Sequence, residues 1–439
     1  MLCLAIALQV AQIDAKLNHE FLKGSLVAAT IQTLEGKVLY ERNSGTRVMP
    51  ASNQKLLSVS YAWHKLGPDY RSVTRFWKQG PRLVIDAPGN PMLTYEQLKA
   101  ARGKLGKFAT VAVKQAYRVG VPAGWELDDL PNKYAAEVTA LTVDRGSFEL
   151  WAEKGKLFYL PEAYGATTLS LASNEQARVV FDPFRRFALV SGKVPNDRTR
   201  LDTLAIHEPD KAVAKFFGGF FIQAKDLPDR PADFEIKSPS LVEMATECLV
   251  KSDNNIAENL LLMAAASDGP LGAKPYELAC QRLKTSLVKS VLCDEADLRP
   301  QDGSGMSRHN FVTTRALAKI MAFATNTFGE KWLQALASPG KGTLDGRLAG
   351  SSFRGKTGTL DSACSLTGVI TNPQGQKLVI SLVFNHYVST NAQVRGIQDE
   401  IVRMLEGSGF GTVLEGSSRG NESIIPDSRL GSFRCDWRY

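Results

Sequence analysis

The sequence predicts an α/β (α+β) fold. It would have one antiparallel sheet flanked by helices, assembled from both ends of the chain and interrupted by a long β-rich insertion. Three observations carry this. A strand hairpin is written near the start of the chain and another near its end. Helical periodicity follows the first and precedes the second. Between about 76 and 235 the texture changes to short strand-like runs punctuated by Pro/Gly turns.

Residues 26–40 read as two strands joined at Glu35-Gly36. A helix is expected from Ser52, with Leu56, Val59 and Trp63 on one face. In the middle region Arg82–Ile85, Thr110–Val113, Glu149–Ala152 and Ala177–Phe181 read as strands. Helical patterning returns at 239–264 and 312–324. Strands are expected at 365–371 and 377–385 around the turn Asn372-Pro-Gln-Gly375, then a closing amphipathic helix at 392–405. The domain expectation is therefore a discontinuous domain of 13–75 and 236–406, with 76–235 inserted in one or two subdomains. Residues 407–439 are Gly/Ser-rich and patternless, and read as a disordered or non-native tail. Residues 1–12 form a short apolar run without a preceding basic residue. They fit either the remnant of an export signal or the start of a first helix.

Hydrophobic residues make up 44% and charged residues 22%, the balance of a soluble globular protein. The net charge of +8 is spread along the chain, so it biases the protein toward anionic surroundings without forming a nucleic-acid footprint. No nucleic acid is expected as partner. Outside the N-terminal run no stretch approaches the roughly 20 apolar residues of a membrane span, so no transmembrane segment is expected. The six cysteines contain no C-x-x-C pair and the five histidines are scattered, so no metal and no cofactor is expected. Cys280 and Cys293 fit either a disulfide in an exported protein or buried free thiols.

Three short motifs carry the chemistry. In Ser52-Asn-Gln-Lys55 the i, i+3 spacing puts hydroxyl and amine on one helix face. A serine hydroxyl becomes a nucleophile when a nearby base takes its proton, and a lysine serves if burial or a second cation lowers its pKa. Two other matches, Ser286–Lys289 and Ser338–Lys341, show how weak the pattern is alone. In Ser252-Asp-Asn254 a hydroxyl and an amide could relay a proton and hold a substrate amide, though the same residues also read as a helix N-cap. The third motif is Lys356-Thr-Gly358, followed by Thr359. Gly350–Thr357 also matches the phosphate-loop pattern G-x-x-x-x-G-K-[ST]. That loop needs a buried strand before it and a helix after it; here a polar, glycine-broken segment precedes it and a strand hairpin follows. An edge strand is the better expectation, with glycines letting a ligand approach the backbone.

Order and combination make the signal specific: S-x-x-K, then S-D-N, then K-T-G is the triple of penicillin-recognising serine enzymes. From about residue 13 to 406 the chain resembles the D-alanyl-D-alanine carboxypeptidase/endopeptidases of the class C low-molecular-mass penicillin-binding proteins. Pro50–Leu56, Lys251–Glu258, Asp302–Arg308 and Gly355–Leu360 carry the resemblance. The 200 positions between Ser52 and Ser252 fit a family with domains inserted between those motifs. Ile85–Thr94 looks like its Gly-Asp-Pro segment, with Asn90 in place of the usual Asp.

The resemblance implies a β-lactamase/transpeptidase-like domain, an extracytoplasmic (periplasmic) location, and peptidoglycan peptides and β-lactams as partners. It implies Ser52 as nucleophile on the D-alanyl-D-alanine carbonyl and Lys55 as its base. The oxyanion would sit between the backbone N–H groups of Ser52 and Thr359. Ser252 would pass a proton to the leaving amine, aided by Lys356, while Asn254 orients the acyl side. Lys356 and Thr357 would hold the terminal carboxylate, with Gly358 allowing close approach. Alternatives are a β-lactamase, for which no E-x-x-L-N segment occurs between 255 and 355, and a non-catalytic wall-binding or penicillin-sensing protein.

Overall fold

A computed structural model describes residues 2–407. Of the expected tail at 407–439, Gly407 ends the helix Asn391–Gly407 and residues 408–439 lie outside the described residues. The two terminal hairpins share one five-stranded antiparallel sheet, in the order Arg354–Leu360, Ala363–Thr371, Lys377–Asn385, Leu26–Thr33, Val38–Arg42. The junction between chain ends is a regular ladder running from Leu26 opposite Asn385 to Thr33 opposite Leu378. Side chains alternate across it, as strand geometry requires. Val27, Ala29, Ile31, Leu378, Ile380 and Leu382 join one core, which includes Ile13 and Leu17 of the helix Leu2–Leu17 and Val394, Ile397 and Ile401 of the helix Asn391–Gly407. Ala28, Val379 and Val383 face the opposite core, which holds the helices Gln54–Leu66, Asn254–Ala266 and Thr314–Phe328. The N-terminal run is thus part of a helix whose last turns bury Ile13 and Leu17. No helix among the described residues is long and apolar enough to cross a membrane.

The helix Gln54–Leu66 lies at the centre of this second core, and every residue from Gln54 to Trp63 is buried. Burial all round is what a helix meets when packed on every side. The polar residues it carries must therefore find partners inside, which is how Lys55 comes to sit in a dry environment.

Residues 73–237 form further sheets. One has the order Phe220–Gln223, Thr110–Gln115, Arg82–Ala87, Val73–Gln79, Phe234–Lys237; two three-stranded sheets are made by 147–160 with 199–205 and by 167–193. The four strands expected here are present, but the region is less purely β than its texture suggests. The helix Tyr95–Leu105 connects the parallel strands Arg82–Ala87 and Thr110–Gln115, and Pro209–Phe216 is a second helix. The first was legible: Thr94 and Gln97 form a reciprocal capping box. Asn90 is buried and its side chain accepts from Met92 N–H, a turn role. Helix 239–264 is two helices, Leu241–Lys251 and Asn254–Ala266, broken where Ser252 adopts a left-handed conformation (φ 60°). The helix Pro275–Val291 was not expected; it carries the chance match Ser286–Lys289, with Lys289 exposed. Cys280 and Cys293 are buried free thiols.

Candidate active site

Four local structures converge. Residues Ala51–Asn53 form a 3-10 turn that leads into the helix Gln54–Leu66, so Ser52 stands at the entrance of that helix and Lys55 one turn inside. Lys55 is fully buried, and its Nζ lies 2.9 Å from Ser52 Oγ, 2.6 Å from Asn254 Oδ1 and 2.8 Å from the Ser304 carbonyl. Asn254 Nδ2 donates to the Tyr134 carbonyl at 2.8 Å, which fixes the amide with its oxygen toward Lys55. Two of the three neighbours of this amine can only accept; the third, a hydroxyl, can donate. A neutral amine satisfies all three with two N–H bonds to the carbonyl oxygens and its lone pair toward the serine O–H. Burial lowers the Lys55 pKa, opposed by the nearby groups Cys248, Glu258, Asp302 and Asp253.

The second lysine is also fully buried. Lys356 Nζ lies 2.9 Å from Ser252 Oγ and 2.7 Å from the Thr357 carbonyl. Burial is again the main reason its pKa falls well below the ordinary lysine value, and the charge of Lys55 pushes it further down. The influence of the two amines on each other is thus lopsided. Lys356 feels Lys55 as a repelling charge, whereas Lys55 is surrounded mainly by acidic groups.

Strand Arg354–Leu360 is the sheet edge. Gly355 exchanges backbone hydrogen bonds with Ala337 on the side away from the neighbouring strand. In a strand the N–H and C=O of alternate residues point the same way, so Thr357 and Thr359 also turn theirs outward; the Lys356 bond to the Thr357 carbonyl agrees. The strand packs closely on the serine turn. A Cβ on Gly358 would stand 2.8 Å from the Ser52 nitrogen and 2.9 Å from the Pro50 carbonyl, and Ser365 Oγ donates to that carbonyl. Ser52, Ser252, Thr357, Gly358 and Thr359 line one open cleft of about 320 Å³, together with Thr343, Arg347 and Arg395. The edge strand has no following helix, which removes the context a phosphate loop requires.

The fourth element is the loop Asp302–Gly305. It clamps the helix Gln54–Leu66: the Gly303 carbonyl accepts from Ser58 Oγ at 2.7 Å and the Asp302 carbonyl from Gln54 Nε2 at 3.1 Å. The Asp302 carboxylate holds the N–H groups of Gly305 and Ser307, the Asn310 amide and the Trp125 indole. Glu258 supports the same loop from behind, accepting from the N–H of Gly303 and Ser304 and from Tyr276 O–H. Burial, and next the charge of Asp302, raise its pKa. Sequence reasoning used Asp302–Arg308 as a mark of the family resemblance and did not see that Ser304 offers its carbonyl to Lys55. It gave Glu258 no role at the site and did not pick out Tyr276. Their contacts span 45 and 18 positions, and no local pattern encodes them.

All five residues expected to do chemistry (Ser52, Lys55, Ser252, Asn254, Lys356) therefore meet in one place, and the expected substrate-binding residues Thr357, Gly358 and Thr359 line the cleft beside them. Comparison with known proteins agrees with the fold. The family model described as "D-Ala-D-Ala carboxypeptidase 3 (S13) family" matches residues 9–407. A D-alanyl-D-alanine carboxypeptidase of Actinomadura sp. is 25% identical, covering 97% of this chain and 89% of its own length. The crystal structure of penicillin binding protein 4 (dacB) from Haemophilus influenzae superposes with a TM-score of 0.75 at 19% identity, over 91% of this chain and 99% of that one. A predatory endopeptidase of Bdellovibrio bacteriovorus, solved acylated by penicillin G, superposes at 0.51 with 12% identity, over 88% and 94%. With the family model matched along nearly the whole described chain, the protein belongs to the S13 family of D-Ala-D-Ala carboxypeptidases.

Proposed function

We propose that the protein is a serine D-Ala-D-Ala carboxypeptidase or endopeptidase acting on peptidoglycan peptides through an acyl-enzyme on Ser52, which β-lactams also form. The observation that carries this is the setting of Lys55: a dry amine between two carbonyl acceptors and the Ser52 hydroxyl. Lys55 takes the hydroxyl proton as Ser52 Oγ attacks the carbonyl carbon. The developing oxyanion accepts from the backbone N–H of Ser52 and of Thr359, two donors fixed before reaction begins. Ser252, held by Lys356, passes a proton to the departing amine as the C–N bond breaks, and the proton that Lys55 took from Ser52 restores the Ser252 hydroxyl. Asn254 holds the acyl side, and Thr357 and Thr359 receive the terminal carboxylate. Water then cleaves the ester and releases the acid.

Slow turnover of β-lactams is part of this reading. Glu258 is a buried carboxylate near Lys55, but both its oxygens are engaged by loop N–H groups and a tyrosine rather than by a site for attacking water. The unit doing the chemistry is the discontinuous 13–75 and 236–406 domain, with 76–235 an inserted accessory region and an extracytoplasmic site of action. The sheet shared by the two chain ends supports that division.

Release of D-alanine from a peptide ending in D-Ala-D-Ala tests the activity. Ser252→Ala is expected to lower it about 10²- to 10³-fold, the lower part of the range for a positioned proton donor. In the wild type, acylation should fall as pH drops through the Lys55 pKa, because protonation removes the base. A pH-independent rate, or full activity in Ser252→Ala, would remove these assignments.

A further inference from the structure

We infer that Arg395, on the C-terminal helix, is a specificity-determining residue that binds the substrate's terminal carboxylate beside Thr359. This rests on the acyl-transfer reading above and adds the group that supplies the positive charge. The sequence-based expectation gave that charge to Lys356. The geometry leaves Lys356 poorly suited: its amine is fully buried and already engaged by Ser252 and the Thr357 carbonyl. Burial and Lys55 both favour its neutral form.

A carboxylate entering the cleft needs a cation that water and partners have not already neutralised. Two arginines line the cleft with Ser52 and Thr357–Thr359. Arg347 is spent on Asp399, with Nε to Oδ2 at 3.1 Å and Nη2 to Oδ1 at 2.6 Å. Arg395 forms no ion pair among the described residues. Its Nη2 donates to Thr359 Oγ1 at 2.9 Å, which brings the guanidinium to the residue whose backbone N–H faces the cleft.

The helix Asn391–Gly407 holds it there. Val394, Ile397, Gln398 and Ile401 bury the face against the sheet, and Arg395 leaves the helix half-buried beside Val394 and Gln398. A guanidinium keeps its charge at any working pH and offers five N–H donors in a fork that matches a carboxylate. One donor serves Thr359 and the Cys364 thiol engages the guanidinium as well; of the five donors, others remain for a carboxylate that also accepts from the threonine hydroxyls. The chemistry recognised is a free carboxylate next to the scissile amide or lactam. Substrates that end in an amide or ester lack the charge.

The test measures the second-order rate of acylation by benzylpenicillin and by its methyl ester, in the wild type, R395Q and R395K. The wild type should prefer the free acid by about 30-fold or more, the size of a charge-assisted hydrogen-bond pair. R395Q should bring the two rates within about threefold by slowing only the acid, and R395K should fall between. Retained ester acylation reports an intact site in the same experiment. Equal loss with acid and ester in both variants would make Arg395 a structural support for Thr359 and overturn the assignment, as would an unchanged preference. Failure of the wild type to acylate with either compound would instead overturn the acyl-transfer reading, and the carboxylate assignment with it.

Discussion

Replacing Lys55 by methionine is expected to lower the rate of Ser52 acylation about 10³- to 10⁴-fold, the upper range for loss of a positioned general base, while leaving the protein folded. Methionine fills nearly the same volume and removes only the amine. Two carbonyl groups, of Asn254 and Ser304, then lose a donor inside the protein, which costs about 1–3 kcal/mol each. Against this, the variant no longer holds an amine whose charged form burial disfavours. The thermal midpoint should therefore move by only a few degrees, and stopped-flow acylation should report the chemical loss on its own. The pH dependence of stability gives a second readout. Between the lowered folded pKa of Lys55 and its unfolded value near 10.5, the unfolded chain binds a proton that the folded chain has released. Stability therefore rises with pH across that window. Lys356 contributes with the same sign, so the variant should show a shallower slope, not a flat one. Near-normal acylation in Lys55→Met would remove Lys55 as the base.

Gly305→Ala should damage both fold and site. Gly305 has φ +87°, where an L side chain is strained, and a Cβ there would stand 1.9 Å from the Ala51 carbonyl oxygen and 2.9 Å from Gln54 Cβ. The neighbour that must move is the backbone of the serine turn. Backbone strain and overpacking together should cost about 3 kcal/mol or more. Relief by displacing residues 51–54 would shift Ser52 relative to Lys55 and the edge strand, so acylation should fall about 100-fold even in the folded fraction, as a 1 Å misplacement of reacting groups can cause. Gly103→Ala is the control: it sits in the helix Tyr95–Leu105 with open space around it, and alanine there should stabilise by about 0.5–1 kcal/mol. Equal melting curves for the two variants would contradict this account of the loop.

What could be read from the sequence, and what could not, divides along the same physical line. The Ser52–Lys55, Ser252–Asn254 and Lys356–Thr359 segments are short, and each keeps its chemistry within one turn or one strand; residue types and spacing suffice to find them. The terminal hairpins were legible because alternation and turn residues are local, and one shared sheet is the simplest topology that accommodates both. Arg395 escaped notice because its partner Thr359 lies 36 positions away, and an arginine on an amphipathic helix looks like any solvated charge. Ser304 contributes a carbonyl, which every residue has. Glu258 reads as the acidic residue of a helix start, although it spends its charge on the loop that meets Lys55. The helix Pro275–Val291 buries only a narrow stripe of Ala279, Cys280, Leu283, Leu287 and Val291 among polar residues, which weakens its periodicity.

The central claim is that Ser52 becomes covalently acylated with Lys55 as its base. Intact mass of the purified protein after exposure to benzylpenicillin, beside Ser52→Ala, tests it most directly. The account predicts a stable gain of one drug mass in the wild type, mapped to the peptide that contains Ser52, and none in the variant. An adduct that persists in Ser52→Ala, or a wild type that neither gains mass nor hydrolyses the drug, would contradict it.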